Sequence, residues 1–376
     1  MRRFTRGPSG RRVRKVLESA TAIYVYDGED VIGELDVSGR VVARDKGRTM
    51  LNLERGRQLL YLSRAEIEGL QVSVDEVREA VEAAFHEKAA GRVEMPPKPG
   101  IHPAPHAFIH AMPAHVAGLK VAGIKWVSGY PDNRRFGLPY ITGLLILNCP
   151  ETGVPLAVMD CTWITEKRTA AATAVAVGRL ASEQARRLAI FGAGVQGRAN
   201  TDALRRVCPR IREVAAFDPS DEARATFEHE VAGWGLRVEQ AKSPHQAVTD
   251  ADIVVTCAPI VKNPQPVIPP EWLKPGSVVA SLDFDATVTA AVAHAVDGMW
   301  VDDGDQFEYY RRHGHFAGMP TSYQELSALV SAKHERRAPS DRYLVVNLGL
   351  ALEDMATAQL LYQRALARNL GTVLPC

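Results

Sequence analysis

Hydrophobic and polar positions change period along this chain, and each change marks a different kind of element. Residues 22 to 43 alternate, with Ile23, Val25, Val31, Leu35 and Val37 at apolar positions around turn signals at Asp27-Gly28 and Ser38-Gly39, which predicts a small β meander. From residue 61 the period lengthens. Ser63 precedes Ala65-Glu66-Ile67-Glu68 and Ser73 precedes Val74-Asp75-Glu76, and a hydroxyl cap followed by first-turn acids predicts two helix starts, the second running from 73 to about 90. Apolar runs at 107–112, 121–127, 141–148 and 154–160, each bounded by Gly, Pro or Asn, predict strands. Short strands in succession after a helix imply an α+β domain.

The alanine-rich segment 165–180 predicts a closely packed helix that bridges to a second region. There an apolar run at 187–191 leads into Gly192-Ala-Gly194-Val-Gln-Gly197, a helix-like stretch 198–207, a second apolar run 213–217 and Asp218. Strand, G-x-G-x-x-G, helix, strand and terminal acid together are a dinucleotide-binding fingerprint, and they predict NAD as cofactor. Gly192 allows the tight turn, Gly194 the approach of a pyrophosphate, and Gly197 close packing of the helix, whose first N–H groups (Val195, Gln196) face the phosphates. Asp218 is expected on the adenosine ribose hydroxyls, where its charge repels a 2′-phosphate. Runs at 252–257, 277–282 and 299–303 complete a doubly wound α/β sheet, and Thr256 and Ala258, at the carboxyl end of the first of these, join the cofactor candidates. Residues 350–368 are apolar on most faces, which predicts a helix that is buried or shared with a partner.

Composition adds limits. The 376 residues, 46% of them apolar, suffice for two domains of ordinary size. A net charge of +1 gives no bias towards nucleic acid or an anionic membrane, and no apolar run approaches the ~20 residues needed to span a bilayer. Residues 1–16 are the exception, with Arg2, Arg3, Arg6, Arg11, Arg12, Arg14 and Lys15 and no acid, and they read as an unstructured arm. The cysteines are odd in number, widely spaced and free of any C-x-x-C pair, which points to reduced thiols in the cytoplasm. His102, His106 and His110 are spaced by four, but Pro103 and Pro105 break the helix that would align them, so no metal site is expected.

Four motifs fall in order: Gly123-Ile-Lys125-Trp-Val-Ser-Gly129-Tyr-Pro131-Asp-Asn133; Gly153-Val-Pro155 through Asp160 to Lys167-Arg168-Thr169; Phe191-Gly-Ala-Gly-Val-Gln196-Gly; and Gly349-Leu-Ala-Leu-Glu353-Asp354-Met-Ala. With them, the chain from about 61 to 371 resembles the ornithine cyclodeaminase/mu-crystallin family. The resemblance implies an NAD(P)-linked enzyme of amino acids or their imines, with a first domain that dimerises and a Rossmann second domain. The expected division is an extension at 1–57, a substrate-binding and dimerisation domain at 58–164 with 350–376, and a Rossmann NAD-binding domain at 165–349, in a homodimer.

The resemblance also assigns roles. Lys125 and Arg168 would hold the substrate carboxylate, the guanidinium by two parallel hydrogen bonds. Lys98, after Pro96-Pro97, stands where many members have arginine, and His110, before Ala111-Met112-Pro113, replaces a glutamate of the ornithine cyclodeaminases; the loss of that acid counts against the cyclodeaminase reaction. The family's catalytic aspartate belongs in the turn Ser281-Leu-Asp283-Phe-Asp285-Ala, where Asp285 is preferred over Asp283 because the usual small residue follows it. An aspartate there would handle the proton of the amine, with Lys125 beside it. The expected function is oxidation or reduction at the C–N bond of a small α-amino acid or imine. The alternatives are a cyclodeaminase that uses NAD catalytically and a mu-crystallin-like binding protein.

Overall fold

The first strand of the chain's main body pairs with its last, so one sheet gathers segments more than 300 residues apart. This computed structural model describes residues 51, 53–260, 264–332 and 338–376, less the side chain of residue 134, and the backbone of 3–6, 12–17, 20–27, 30–35 and 41–44. Two compact units are present, 1–52 with 363–370 and 53–362 with 371–376.

In the smaller unit, strands β1 (Arg3–Arg6), β2 (Arg12–Leu17), β3 (Ala20–Asp27), β4 (Asp30–Leu35) and β5 (Val41–Arg44) form an antiparallel sheet in sequence order. The alternation at 22–43 foretells its last three strands. The basic stretch read as an unstructured arm instead supplies β1 and β2, because main-chain pairing with a neighbouring strand does not depend on the charge of the side chains.

The larger unit carries two eight-stranded sheets. After β6 (Gln58–Leu62), helices α1 (Arg64–Gly69) and α2 (Val74–Ala89) start where the serines predict, each with a complete capping box: Ser63 Oγ accepts from Glu66 N–H and Ser73 Oγ from Glu76 N–H, while each glutamate accepts from its serine N–H at 2.8 Å. Next come β7 (Val93–Glu94), β8 (Gly100–Ile101), β9 (Phe108–Val116), β10 (Val121–Gly129), β11 (Ile141–Asn148) and β12 (Pro155–Asp160). One face of this sheet buries Met112, Val127, Leu145, Leu147 and Met159. The other face leaves Trp126, Leu144 and Ile146 exposed, with Trp126 directly opposite Leu144 and Ile124 opposite Ile146.

Helix α3 (Thr162–Leu180) begins three residues before the predicted start, because Asp160 accepts from the N–H groups of Thr162 and Trp163 and so caps it. Its Ala170 and Ala174 pack against Ala199 and Ala203 of α4 (Val195–Val207), and their small size permits the close approach. The second sheet is formed by β13 (Arg187–Phe191), β14 (Glu213–Phe217), β15 (Arg237–Gln240), β16 (Ile253–Thr256), β17 (Val278–Ser281), β18 (Gly298–Val301), β19 (Gln324–Glu325) and β20 (Tyr343–Val346). All its pairings are parallel, in the order β15-β14-β13-β16-β17-β20-β18-β19. Helices α5 (Asp221–Ala232), α6 (Pro244–Val248), α7 (Ala290–Ala295), α8 (Gly304–Arg312) and α9 (Leu326–Ser331) connect them. The chain then leaves by α10 (Ala351–Arg368) and returns to the first sheet as β21 (Thr372–Pro375) beside β6. This is a Rossmann doubly wound sheet joined to an α+β partner, and strand order reverses at β13, the crevice where such sheets bind ligands.

Candidate active site

At the carboxyl end of β13, Gly192 has φ +95° and an added Cβ would lie 2.6 Å from Cys257 O, so the turn requires glycine. A Cβ on Gly197 would run into Gly192 O, whereas one on Gly194 meets nothing within 4 Å. The chain is therefore tight where helix and strand touch and open in front of α4, whose first-turn N–H groups at Val195, Gln196 and Gly197 have no acceptor within the helix. Gln196 Nε2 ties this turn to α3 by donating to Thr165 O at 3.2 Å. Asp218 follows β14. Its two oxygens accept from Ala193 N–H and Ser220 N–H, both at 2.8 Å, and it lines a cavity of about 430 Å³ with Phe217, Pro219, Arg224 and Lys242. An open phosphate cradle beside a cavity with an acid at its wall fits a dinucleotide.

Thr256 and Ala258 face a different task. The Thr256 hydroxyl and the Ala258 N–H donate to the two oxygens of Asp283, at 2.7 and 3.1 Å, and Thr287 adds a hydroxyl at 2.6 Å. Asp283 is wholly buried; burial pushes its carboxyl up, and these hydrogen bonds only partly offset that. Asp283 thus holds the loops after β16 and β17 together. Asp285 is only half buried. Its Oδ1 meets His315 Nδ1 at 3.1 Å and its Oδ2 accepts from Phe316 N–H at 2.7 Å. Burial would raise its carboxyl, but the bonds from His315 and Phe316 outweigh burial and hold it below the usual range. Neither aspartate of the turn presents an unengaged carboxyl group.

The predicted cations converge. Lys125, from the buried face of β10, places its ammonium 2.7 Å from Asp354 and 3.3 Å from the Thr165 hydroxyl. Arg168, on α3, reaches Glu353 at 2.7 Å and Asp354 at 3.0 Å. Lys98 reaches in from the Pro96-Pro97 loop and donates to Leu348 O at 2.6 Å and Gly349 O at 3.1 Å. Gly349 has φ +79°, and a Cβ there would sit 2.5 Å from Arg168 Nη1; its N–H donates to Asp302 Oδ2 at 2.8 Å. All three cations are buried, Lys125 completely.

Burial sets their electrostatics. Desolvation first, and the Arg168 charge second, bring Lys98 down to about 8, and the same two causes lower Lys125 despite Asp354. Desolvation pushes Asp302 well above the carboxylate range, with Glu353 adding to it, and raises Glu353 although Arg168 pulls the other way. Burial thus draws Asp302 and Glu353 towards neutrality and opposes the charge of the two lysines as well, so Arg168 is the cation whose charge is kept. Oδ1 of Asp302, Oε1 of Glu353 and Oδ2 of Asp354 are buried without a hydrogen-bond partner. His110 lies nearby, taken down to about 3 by burial first and Lys98 next, so it stands neutral. This ensemble can bind an anionic carboxylate and exchange a proton near neutral pH.

The sequence did not point to Asp302, Tyr310 or His315, nor to Glu353 and Asp354 as site residues. Two adjacent acids in the first turn of a helix that is apolar on most faces were the available signal for the last pair.

A family model described as the ornithine cyclodeaminase/mu-crystallin family matches residues 58–369. Alanine dehydrogenase of Archaeoglobus fulgidus is 32% identical over 325 residues, covering 84% of this chain and 98% of that protein. The solved delta(1)-pyrroline-2-carboxylate reductase of Thermococcus litoralis, in complex with NADH and L-proline, is 30% identical with a TM-score of 0.75 over 84% of this chain and 99% of its own. An archaeal alanine dehydrogenase dimer with bound NAD has the same identity, TM-score and coverage.

Proposed function

The chain belongs to the ornithine cyclodeaminase/mu-crystallin family, and from that premise we propose an NAD-dependent oxidoreductase acting on the C–N bond of a small α-amino acid or an imine, cyclic imines included. One observation carries the reading: Arg168 keeps its charge, buried with Lys98 and Lys125 beside two acids, Asp302 and Glu353, that burial drives towards neutrality. Such a site accepts a further negative charge, and an α-carboxylate supplies it. Arg168 binds that carboxylate, Lys125 sets the position of Asp354 and adds to the field, and His110 borders the substrate as a neutral group. Lys98, which loses its proton near pH 8, takes the proton of the amine in oxidation and returns it to the imine in reduction. Asp285 acts at the edge of the site through His315, and Asp283 holds the turn. A neutral His110 does not replace a glutamate as a proton acceptor, which counts against the cyclodeaminase reaction.

Gly192, Gly194, Val195, Gln196 and Gly197 would hold the pyrophosphate of NAD and Asp218 the adenosine ribose, while Thr256 and Ala258 shape the loop beside them. When bound, the nicotinamide accepts or supplies the hydride. NAD(H) in the two solved relatives supports this cofactor. We assign cofactor binding to 165–349, and substrate binding and dimerisation to 58–164 with 350–376, with 1–57 as an extension. The exposed apolar sheet face, and the dimer formed by the archaeal relative, support a homodimer. Unpaired cysteines support a cytoplasmic setting.

The test is to follow NADH absorbance with a panel of amino acids, cyclic imines, and 2-oxo acids with ammonia or amines, alongside an ammonia assay. Turnover with at least one member is expected, and Asp218→Ser should shift the preference from NADH towards NADPH at least tenfold, since Arg224 and Lys242 remain at the cavity. Tight NADH binding without turnover of any compound would leave a mu-crystallin-like binding protein.

A further inference from the structure

Strands β18 and β20 are parallel neighbours that end level, with Val301 beside Val346. The chain past each end therefore meets the other. Asp302, which follows β18, donates its N–H to Val346 O at 3.1 Å, and Leu348-Gly349 follow β20. One peptide unit, the Leu348 carbonyl with the Gly349 N–H, lies between two side chains. Lys98 Nζ donates to its oxygen at 2.6 Å, and its N–H donates to Asp302 Oδ2 at 2.8 Å. Asp302 is wholly buried, and its other oxygen, Oδ1, has no hydrogen-bond partner.

A peptide held in this way is polarised from both ends. An ammonium on the carbonyl makes the N–H a better donor, and a carboxylate on the N–H makes the carbonyl a better acceptor, so each charge favours the other across the amide. Gly349 O, 3.1 Å from Lys98 Nζ, completes the hold. A free lysine amine has two hydrogens; spent on these two carbonyls, they leave its lone pair at the third tetrahedral position, oriented as a proton acceptor must be. Lys98 is also faced by Arg168 from α3, Lys125 from β10, His110 from β9 and Asp354 from α10, with the rings of Phe284 and Tyr310 5.8 and 5.6 Å from its ammonium. Asp302 is faced by Glu353 from α10, Tyr310 from α8, Arg168 and its neighbour Asp303. Of the acids, Asp302 does most to keep the proton on Lys98, ahead of Asp354, and the ammonium in turn favours ionised Asp302.

We propose that Asp302 is a positioning residue for proton transfer at the substrate nitrogen: through the Leu348–Gly349 peptide it fixes Lys98 and sets how firmly Lys98 keeps a proton. This rests on the role of Lys98 proposed above. In oxidation the proton leaves the amine nitrogen for Lys98 Nζ. As the ammonium forms, the Gly349 N–H binds Asp302 more strongly, and the new charge is met without any side chain moving. In reduction the proton returns to the substrate nitrogen and the peptide relaxes. Lys125 shows the contrast, since it pairs directly with Asp354 at 2.7 Å. A carboxylate in direct contact with Lys98 would take up the third position on its nitrogen, whereas an acid acting through a peptide leaves that position to the substrate.

The experiment follows the ε-carbon of Lys98 by carbon-13 NMR across pH in the full chain, its signal assigned by its loss in Lys98→Arg. Asp302→Asn keeps an acceptor for the Gly349 N–H but not the charge. It should lower the midpoint of the Lys98 titration by about one pH unit, a tenfold loss of proton affinity, and carry the limb of the oxidation profile to lower pH with it. Asp303→Asn, which can still cap α8, should leave the midpoint in place. The wild type gives a readout that needs no variant: the amide proton of Gly349 should titrate with the midpoint of Lys98. An unmoved midpoint in Asp302→Asn, an equal shift in Asp303→Asn, or a Gly349 amide indifferent to the titration of Lys98 would each overturn the proposal. If Lys98 titrates and the Gly349 amide follows it, yet the rates show no limb at that pH, what falls is the role of Lys98 as the base, not its coupling to Asp302.

Discussion

Lys98 is the residue whose burial has the plainest consequence. Its ammonium titrates near pH 8 in the folded chain, so oxidation, which needs the free amine, should rise as pH passes through about 8, and imine reduction, which needs the ammonium, should fall over the same range. In Lys98→Arg, which does not titrate there, pH–rate profiles should lose that limb in both directions. Lys125 makes a different prediction, since it and Asp354 are both wholly buried. Lys125→Met leaves the buried Asp354 carboxylate without its nearest cation, and the cost should be about 3 kcal/mol or more. Thermal unfolding should show a clear loss for Lys125→Met that Lys125→Met/Asp354→Asn largely restores; equal destabilisation of both variants would count against the pairing. The family resemblance singled out both lysines, but not what they touch. Asp354 lies 229 residues from Lys125, and Glu353 lies 185 from Arg168, so no local pattern links them.

Elements were legible where local chemistry fixes them. The serine caps before α1 and α2 and the glycine turn before α4 announce themselves because a side chain or a missing Cβ decides the backbone there. Helix α3 started earlier than its alanine content suggested, since its capping acid, Asp160, ends a strand. Strand β20 went unrecognised, a four-residue run whose place between β17 and β18 is set by long-range pairing. The open face of the first sheet gives the prediction at this scale. Trp126 and Leu144 form an exposed cross-strand apolar pair, and surface of that kind seeks a partner. Trp126→Asp/Leu144→Asp should shift a dimer to monomer in sedimentation while leaving far-ultraviolet circular dichroism intact. A wild-type protein that sediments as a monomer at micromolar concentration would remove the assignment of this face.

Across the whole molecule, α10 is the element that connects the site to the end of the first sheet. Its first turn supplies Glu353 and Asp354 to the cations of the site, and after it β21 returns to pair with β6. The order of strands has a consequence for the chain as it leaves the ribosome. Five parallel strands, β15-β14-β13-β16-β17, can assemble as soon as residue 281 has emerged, but β18 reaches them only through β20, which is made some forty residues after it. Nascent chains that have emerged to between residues 302 and 323 should therefore hold these five strands together with an unpaired β18 and expose a protease-sensitive tract there. Emergence beyond residue 346 should abolish that sensitivity. During this interval the unfinished edge offers itself to other nascent chains, so slow translation upstream of Tyr343 should cost soluble yield without changing a single contact of the finished protein.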